Sequence, residues 1–306
     1  MLEPTAAAPG LPRFLFPKDA PQGAISGGVA PGAQRRSGVD LVPMRIALGL
    51  EYDGAHFCGW QTQPSRCGVQ DHLEAALAHI AEERIETICA GRTDAGVHAL
   101  EQVVHFDTGA KRPESAWVRG VNASLPSGIA VLWAREVADD FNARYSALER
   151  RYRYILLNRP VRPAVAHGRI GWFHAPLDVD AMRSAAGILV GSHDFSAFRS
   201  SECQARSPVR DLRRLNVERH GDYIVFDFCA NAFLHHMVRN LVGTLVYVGK
   251  GKHGANWVSE VLASLDRSQA APTFDAAGLY LARVAYAPAW ELPVSQPAAF
   301  AEVMLS

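Results

Sequence analysis

Asp94 is the side chain in this sequence best placed to do chemistry. It sits in Ala-Gly-Arg-Thr-Asp-Ala-Gly-Val-His-Ala, residues 90–99, with Gly91 three positions before it and Gly96 two after. Its carboxylate therefore rides on backbone that can bend sharply and admit a ligand closely. Arg92 is two residues away, and in an extended segment residues i and i+2 point to one side, so the guanidinium and the carboxylate can address one cleft together. The plainer arrangement with the same spacing is an Asx-turn beside a surface arginine. Histidines offer less: His235 and His236 are adjacent, which on a helix turns them about 100° apart, and there is no HExxH spacing. Asp53, His56 and His98 are further candidate ligands around Asp94, and Asp53, Asp94 and His98 would serve a metal-dependent hydrolase. Asp53-Gly54, however, is a turn dipeptide, and we expect no metal.

The elements that must carry this loop can be read from apolar periodicity. Ile46, Leu48, Leu50 and Tyr52 alternate, which predicts a strand over residues 45–53. Val69, Leu73, Ala76, Leu77 and Ile80 form the stripe of a helix over 69–83. A short strand over 87–90 feeds the Asp94 loop and another over 102–106 leaves it. Pro113 opens a second helix, and Ile129, Val131 and Trp133 alternate along a strand over 129–137. The order is β-α-β-β-α-β. Residues 148–290 repeat it, with a strand over 151–157, a helix over 179–190, a hairpin turning at Gly221-Asp222, helices over 231–247 and 257–265, and a last strand over 278–286. The expected fold is α+β: two β-α-β-β-α-β lobes, ferredoxin-like or RNA-recognition-like, around a central antiparallel sheet with a cleft between them. The lobes are placed at residues 44–147 and 148–290. Residues 1–43, rich in Ala, Pro and Gly, read as a disordered extension, and 291–306 as a tail.

Charge narrows the partner. Lys plus Arg and Asp plus Glu both number 31, yet residues 144–214 hold thirteen Arg against six acidic residues, a candidate phosphate-binding face. Along residues 151–154 arginine alternates with tyrosine, so Arg151 and Arg153 should face away from Tyr152 and Tyr154. The five cysteines are odd in number and contain no CxxC pair, so no disulfide framework or zinc ribbon is indicated. No apolar run approaches the roughly 20 residues that span a bilayer, and no signal peptide is recognisable. A cytoplasmic protein without membrane contact is expected.

Residues 90–99 resemble the signature of the tRNA pseudouridine synthase A family. Tyr52-Asp53-Gly54, Phe57 and Gly59-Trp60-Gln61 resemble its first motif, Arg151-Tyr152-Arg153-Tyr154 a second, and residues 231–240, Asn-Ala-Phe-Leu-His-His-Met-Val-Arg-Asn, a third. The matches run in order from about residue 45 to 286. Glu101 departs from the pattern, standing where the family often has glycine, and residues 1–43 have no counterpart in it.

The resemblance implies a two-lobed enzyme, usually a homodimer, that isomerises uridine to pseudouridine in the anticodon stem-loop of tRNA with no cofactor and no metal. It makes Asp94 the catalytic carboxylate, acting as a nucleophile or by removing the C2′ proton. Tyr152 becomes the substrate-contacting tyrosine, Arg92 a residue that aids flipping of the target base, and Arg239 a partner for Asp94 or for a phosphate. The competing reading is a non-catalytic RNA-binding module, since such sheets present aromatics to unpaired bases. A carboxylate in a basic cleft repels phosphate and speaks against it.

Overall fold

A computed structural model of the chain describes residues 43–293. Residues 1–42 of the extension expected over 1–43, and residues 294–306 of the tail expected over 291–306, lie outside the described residues. In chain order the elements of the first half are β1 (Met44–Tyr52), α1 (Val69–Ala81), β2 (Ile88–Cys89), β3 (His98–Thr108), α2 (Val121–Ser124) after a π turn over Ala116–Gly120, and β4 (Ile129–Val137). Those of the second half are β5 (Ala147–Asn158), β6 (Gly171–Phe173), α3 (Val179–Leu189), β7 (Gly191–Asp194), β8 (Val209–His220), β9 (Tyr223–Ala230), α4 (Met237–Gly249), α5 (Trp257–Ser264) and β10 (Leu279–Tyr286).

One ten-stranded sheet runs through both halves in the order β4-β1-β3-β10-β5-β9-β8-β7, with β2 also on β3 and β6 also on β5. The first half therefore lays its strands 4-1-3-2 as β4-β1-β3-β2, and the second repeats that order as β10-β5-β9-β8. This is the duplicated α+β arrangement expected from the alternation. The pairing is antiparallel except at β3–β10 and β5–β6. β2 covers β3 only at His105 and Val104, and β10 takes over on the same strand at His98 and Ala99. The loop carrying Asp94 leaves the sheet where one partner strand gives way to the other.

Local sequence explains the helices that back this seam. α1 buries Val69, Leu73, Ala76 and Leu77, its i, i+4, i+7 and i+8 positions, and the Asp71 carboxylate accepts from the Gly68 N–H to cap its start. α3 is capped by Asp178, whose side chain accepts from the Asp180 and Ala181 N–H groups. α4 is buried on almost every side, so it runs through the core. The same core joins Leu48, Leu73 and Phe106 of the first half to Phe226, Leu241 and Leu245 of the second.

Three expectations need correction. The helix predicted over 231–247 begins only at Met237; residues 231–236 form a turn ending in His236, whose φ of 62° is left-handed. Cys58 and Cys67 form a disulfide, with Cα atoms 5.4 Å apart, because the loop after β1 folds back on itself; an odd cysteine count does not forbid one bridge. The strand expected over 102–106 begins earlier, at His98, so Glu101 lies within β3. Burial pushes its carboxyl up to about 7 against the pull of Arg283.

Candidate active site

Asp94 is held by its backbone before its side chain meets anything. The Trp60 N–H donates to the Thr93 carbonyl at 2.9 Å, the Tyr52 hydroxyl and the Thr93 hydroxyl bond each other at 2.8 Å, and the Gln102 amide donates to the Gly91 carbonyl at 2.6 Å. From the second half, Arg150 donates to the Ala90 carbonyl through Nε and Nη2, at 3.3 and 3.0 Å. Buried backbone carbonyls without partners are costly, so these donors set the loop's path. Gly96, at φ +80°, turns the chain back toward β3.

The Asp94 side chain crosses the seam. Arg239, in the first turn of α4, donates from Nη1 to Asp94 Oδ2 at 3.0 Å and from Nε to the Phe274 carbonyl at 2.9 Å. His235 Nε2 lies 3.3 Å from Oδ1 and His236 Nε2 lies 3.4 Å from Oδ2. The turn over residues 231–236 makes this possible: on a helix the two rings would diverge, whereas here their centroids are 4.1 Å apart. Burial alone would push the Asp94 pKa up. The hydrogen bond from His235, the charge near His236 and the Arg239 guanidinium together outweigh it, and the net direction is down. The same hydrogen bond raises His235, while burial lowers His236. The site is thus a carboxylate held toward its anionic form, with a guanidinium and two imidazoles around it, one shifted up and the other down.

Tyr152 is buried on β5, its ring edge-on to Phe233 at 5.0 Å. Its hydroxyl lies against Gly91, where a Cβ would fall 3.7 Å away. Burial, and then the charge of Asp94, push its pKa well up, so the phenol keeps its proton. Tyr154 shares that face and is also buried, while Arg151 and Arg153 lie on the other, bonded to Glu149 and Asp227. Arg92 is exposed and reaches Gln204 Oε1 at 3.5 Å rather than Asp94. Arg92 and Asp94 both turn toward the second half but take different partners there.

Of the residues considered for a metal, Asp53 and His98 go elsewhere. Asp53 bonds Arg169 at 3.0 Å and lies 3.1 Å from His98 Nδ1, which accepts from the Gly54 N–H, while His98 Nε2 faces the Gly168 and Ala277 carbonyls and its ring stacks on Tyr280. Among the described residues the group with ligand spacing is Asp94, His235 and His236, whose ligand atoms lie within 4.8 Å of one another. Arg239 already supplies a cation to that carboxylate. The arginine-rich stretch is also less basic at the surface than its count suggests. Of its thirteen arginines, Arg151, Arg153, Arg169, Arg183 and Arg213 are ion-paired to carboxylates among the described residues, and Arg150 is buried.

Comparison with known proteins places these residues in a family. The family model described as tRNA pseudouridine synthase matches residues 50–146 and 185–287. The tRNA pseudouridine synthase A of Thiobacillus denitrificans is 61% identical over 252 residues, covering 82% of this chain and 97% of that protein. The tRNA pseudouridine synthase A of Aromatoleum aromaticum is 63% identical over 250 residues, covering 82% and 95%. Among solved structures, the archaeal box H/ACA sRNP Nop10-Cbf5 complex aligns at 11% identity and a TM-score of 0.31, over 74% of this chain and 60% of that one.

Proposed function

The chain belongs to the tRNA pseudouridine synthase family, and from that premise we propose that Asp94 is the carboxylate through which it converts uridine to pseudouridine in the anticodon stem-loop of tRNA. The protein is an isomerase. The bond from uracil N1 to ribose C1′ breaks, the base turns, C5 bonds to C1′, and a proton leaves C5 as one arrives at N1. Nothing is oxidised, reduced or hydrolysed, so the chemistry calls for no redox cofactor and no metal.

The single observation that carries the assignment is the ionised Asp94 at the seam, with Arg239, His235 and His236 around it. Attack by a nucleophile and removal of the C2′ proton both need a carboxylate with a free lone pair, and a lowered pKa keeps it anionic at neutral pH. Arg239 fixes the carboxylate's orientation. Tyr152 offers its ring edge and a protonated hydroxyl beside the base. Arg92, exposed on the loop, pairs with no carboxylate among the described residues and is suited to hold a phosphate or to occupy the space a flipped uridine leaves. We carry over the family's homodimer and a cytoplasmic location. No described helix is long and apolar enough to cross a membrane.

The test is unmodified tRNA incubated with purified protein, without added cofactor, followed by mapping of pseudouridine. Asp94→Asn should lower turnover by more than about 10³-fold while leaving tRNA binding nearly intact. Appreciable turnover by Asp94→Asn would remove the assignment, and chelator should leave the wild-type rate unchanged.

A further inference from the structure

A second cluster of side chains lies at the end of α4 remote from Asp94. Tyr247 sits on the last turn of α4, and the chain beyond it bends at Gly251, φ +73°, so that Lys250 and Lys252 both return over the Tyr247 ring, their ammonium nitrogens 3.9 and 4.3 Å from its centroid. His253 stacks on Trp257 at 4.0 Å with planes 19° apart, and both rings lie nearly parallel to Tyr247 at 6.3–6.4 Å. Tyr247, Lys252, His253, Trp257 and Arg267 line a pocket of about 490 Å³, and Lys250 lies beside it over the Tyr247 ring. Both lysines are exposed and the three rings are half-exposed.

The pocket is tied to the active site by a strap of chain. Residues 267–274 run antiparallel to α4. They leave the pocket, pass Gly243, where a Cβ would run into the Pro272 carbonyl, and bond Asn240 through Thr273 at 2.7 Å. They end at Phe274, whose carbonyl accepts from Arg239 at 2.9 Å. Tyr247 is eight residues beyond Arg239 in the same helix, roughly 12 Å of rise at about 1.5 Å per residue. The spacing between pocket and catalytic carboxylate is therefore fixed by a buried helix and a strap bonded along it.

We propose that this pocket is a second RNA-contact site, which takes a phosphate and an unpaired or edge-exposed base of the substrate several nucleotides from the target uridine. The inference rests on the functional reading above. Paired ammonium groups over an aromatic ring beside stacked half-exposed rings match what a nucleotide offers, a phosphate anion and a π face. The local charge is modest: over residues 250–267 the cations Lys250, Lys252 and Arg267 are offset by Glu260 and Asp266, and Asp266 accepts from Ser268. The site accordingly acts by contact rather than by long-range steering, and its affinity rests on stacking as much as on charge. A helix-spaced second contact would set how the RNA enters the seam and so which uridine reaches Asp94.

The test is the double variant Lys250→Gln/Lys252→Gln, with Trp257→Ala beside it, in pseudouridine assays on intact tRNA at several salt concentrations, with nuclease footprinting. Both lysines are exposed, so the melting temperature of the double variant should stay at the wild-type value. We expect KM to rise about tenfold, kcat to hold, the log-log salt slope to fall by between about 1 and 2, and protection to be lost only at nucleotides away from the target. Unchanged KM and salt slope would overturn the proposal, as would loss of protection at the target uridine itself. Wild-type protein that forms no pseudouridine would instead sink the functional reading, so the two failures are distinguishable.

Discussion

Gly59 lies against the backbone of Asp94. A Cβ at Gly59 would fall 2.8 Å from the Thr93 carbonyl oxygen and 3.0 Å from the Asp94 carbonyl carbon, and Gly59 itself holds a φ of +92°. The family's first motif therefore acts on the Asp94 loop by contact, because only a residue without Cβ lets Trp60 approach close enough to donate to Thr93. Gly59→Ala should cost about 1–3 kcal/mol through the forced backbone and lower kcat as Asp94 shifts. Gly221→Ala is the control: its φ is +58°, but nothing lies within 4 Å of the added Cβ. It should lose stability alone. Urea midpoints and kcat for both variants check this, and a Gly59→Ala enzyme with wild-type kcat would show that the close approach does not position Asp94.

Arg239 divides its guanidinium between Asp94 at 3.0 Å and the Phe274 carbonyl at 2.9 Å. An ammonium has no fork with which to serve two acceptors in fixed directions, so Arg239→Lys keeps the charge and loses the geometry. The expected result is a fall in kcat of about 10²-fold with KM little changed. Part of the downward pull on Asp94 comes from this hydrogen bond, so the acid limb of the kcat/KM profile should move to higher pH. An unmoved acid limb with full kcat would reduce Arg239 to a structural link.

The parts of this site that were legible in the sequence are those set by local spacing. Asp94 stands out because two nearby glycines free its backbone, and the strands on either side are visible in their alternation. His235 and His236 were misplaced for a physical reason. Phe233, Met237, Leu241 and Leu245 recur every four residues, and that period runs on past the true helix start because Phe233 is apolar to pack on Tyr152, not to continue α4. Asn231, a turn residue, was the signal that a stop precedes the histidines. The role of Gly59 and the Cys58–Cys67 bridge depend on how the loop after β1 folds back on itself and onto the Asp94 loop. No periodicity within one segment reports that. The doubled 4-1-3-2 strand order was visible as a doubled pattern, but the hand-over from β2 to β10 on β3, which opens the seam, is a long-range pairing.

The His235 pair with Asp94 gives a pH dependence whose sign can be worked out. The hydrogen bond that His235 donates to Asp94 raises His235 above its ordinary value, and the nearby Cys203 and Glu202 act in the same sense. Its contribution to stability is therefore complete below the unfolded value, about 6.5, and is lost as pH rises through the higher folded value. Asp94, held low, contributes above the unfolded carboxylate value of about 3.9 and loses that contribution only as pH falls through its lower folded value. His236 works in the opposite direction. Burial lowers its pKa, so protonating it becomes a cost as pH falls below about 6.5. Wild-type stability alone would mix the two histidines, so the comparison is with His235→Gln, which leaves His236 in place. The melting temperature of wild type minus that of His235→Gln should be larger at pH 5.5 than at pH 8.5. The pair is partly exposed, so the difference should be about 1–3 °C. A difference that is flat across that range, or larger at pH 8.5, would mean that His235 carries no proton toward Asp94 and that Arg239 alone holds the carboxylate ionised.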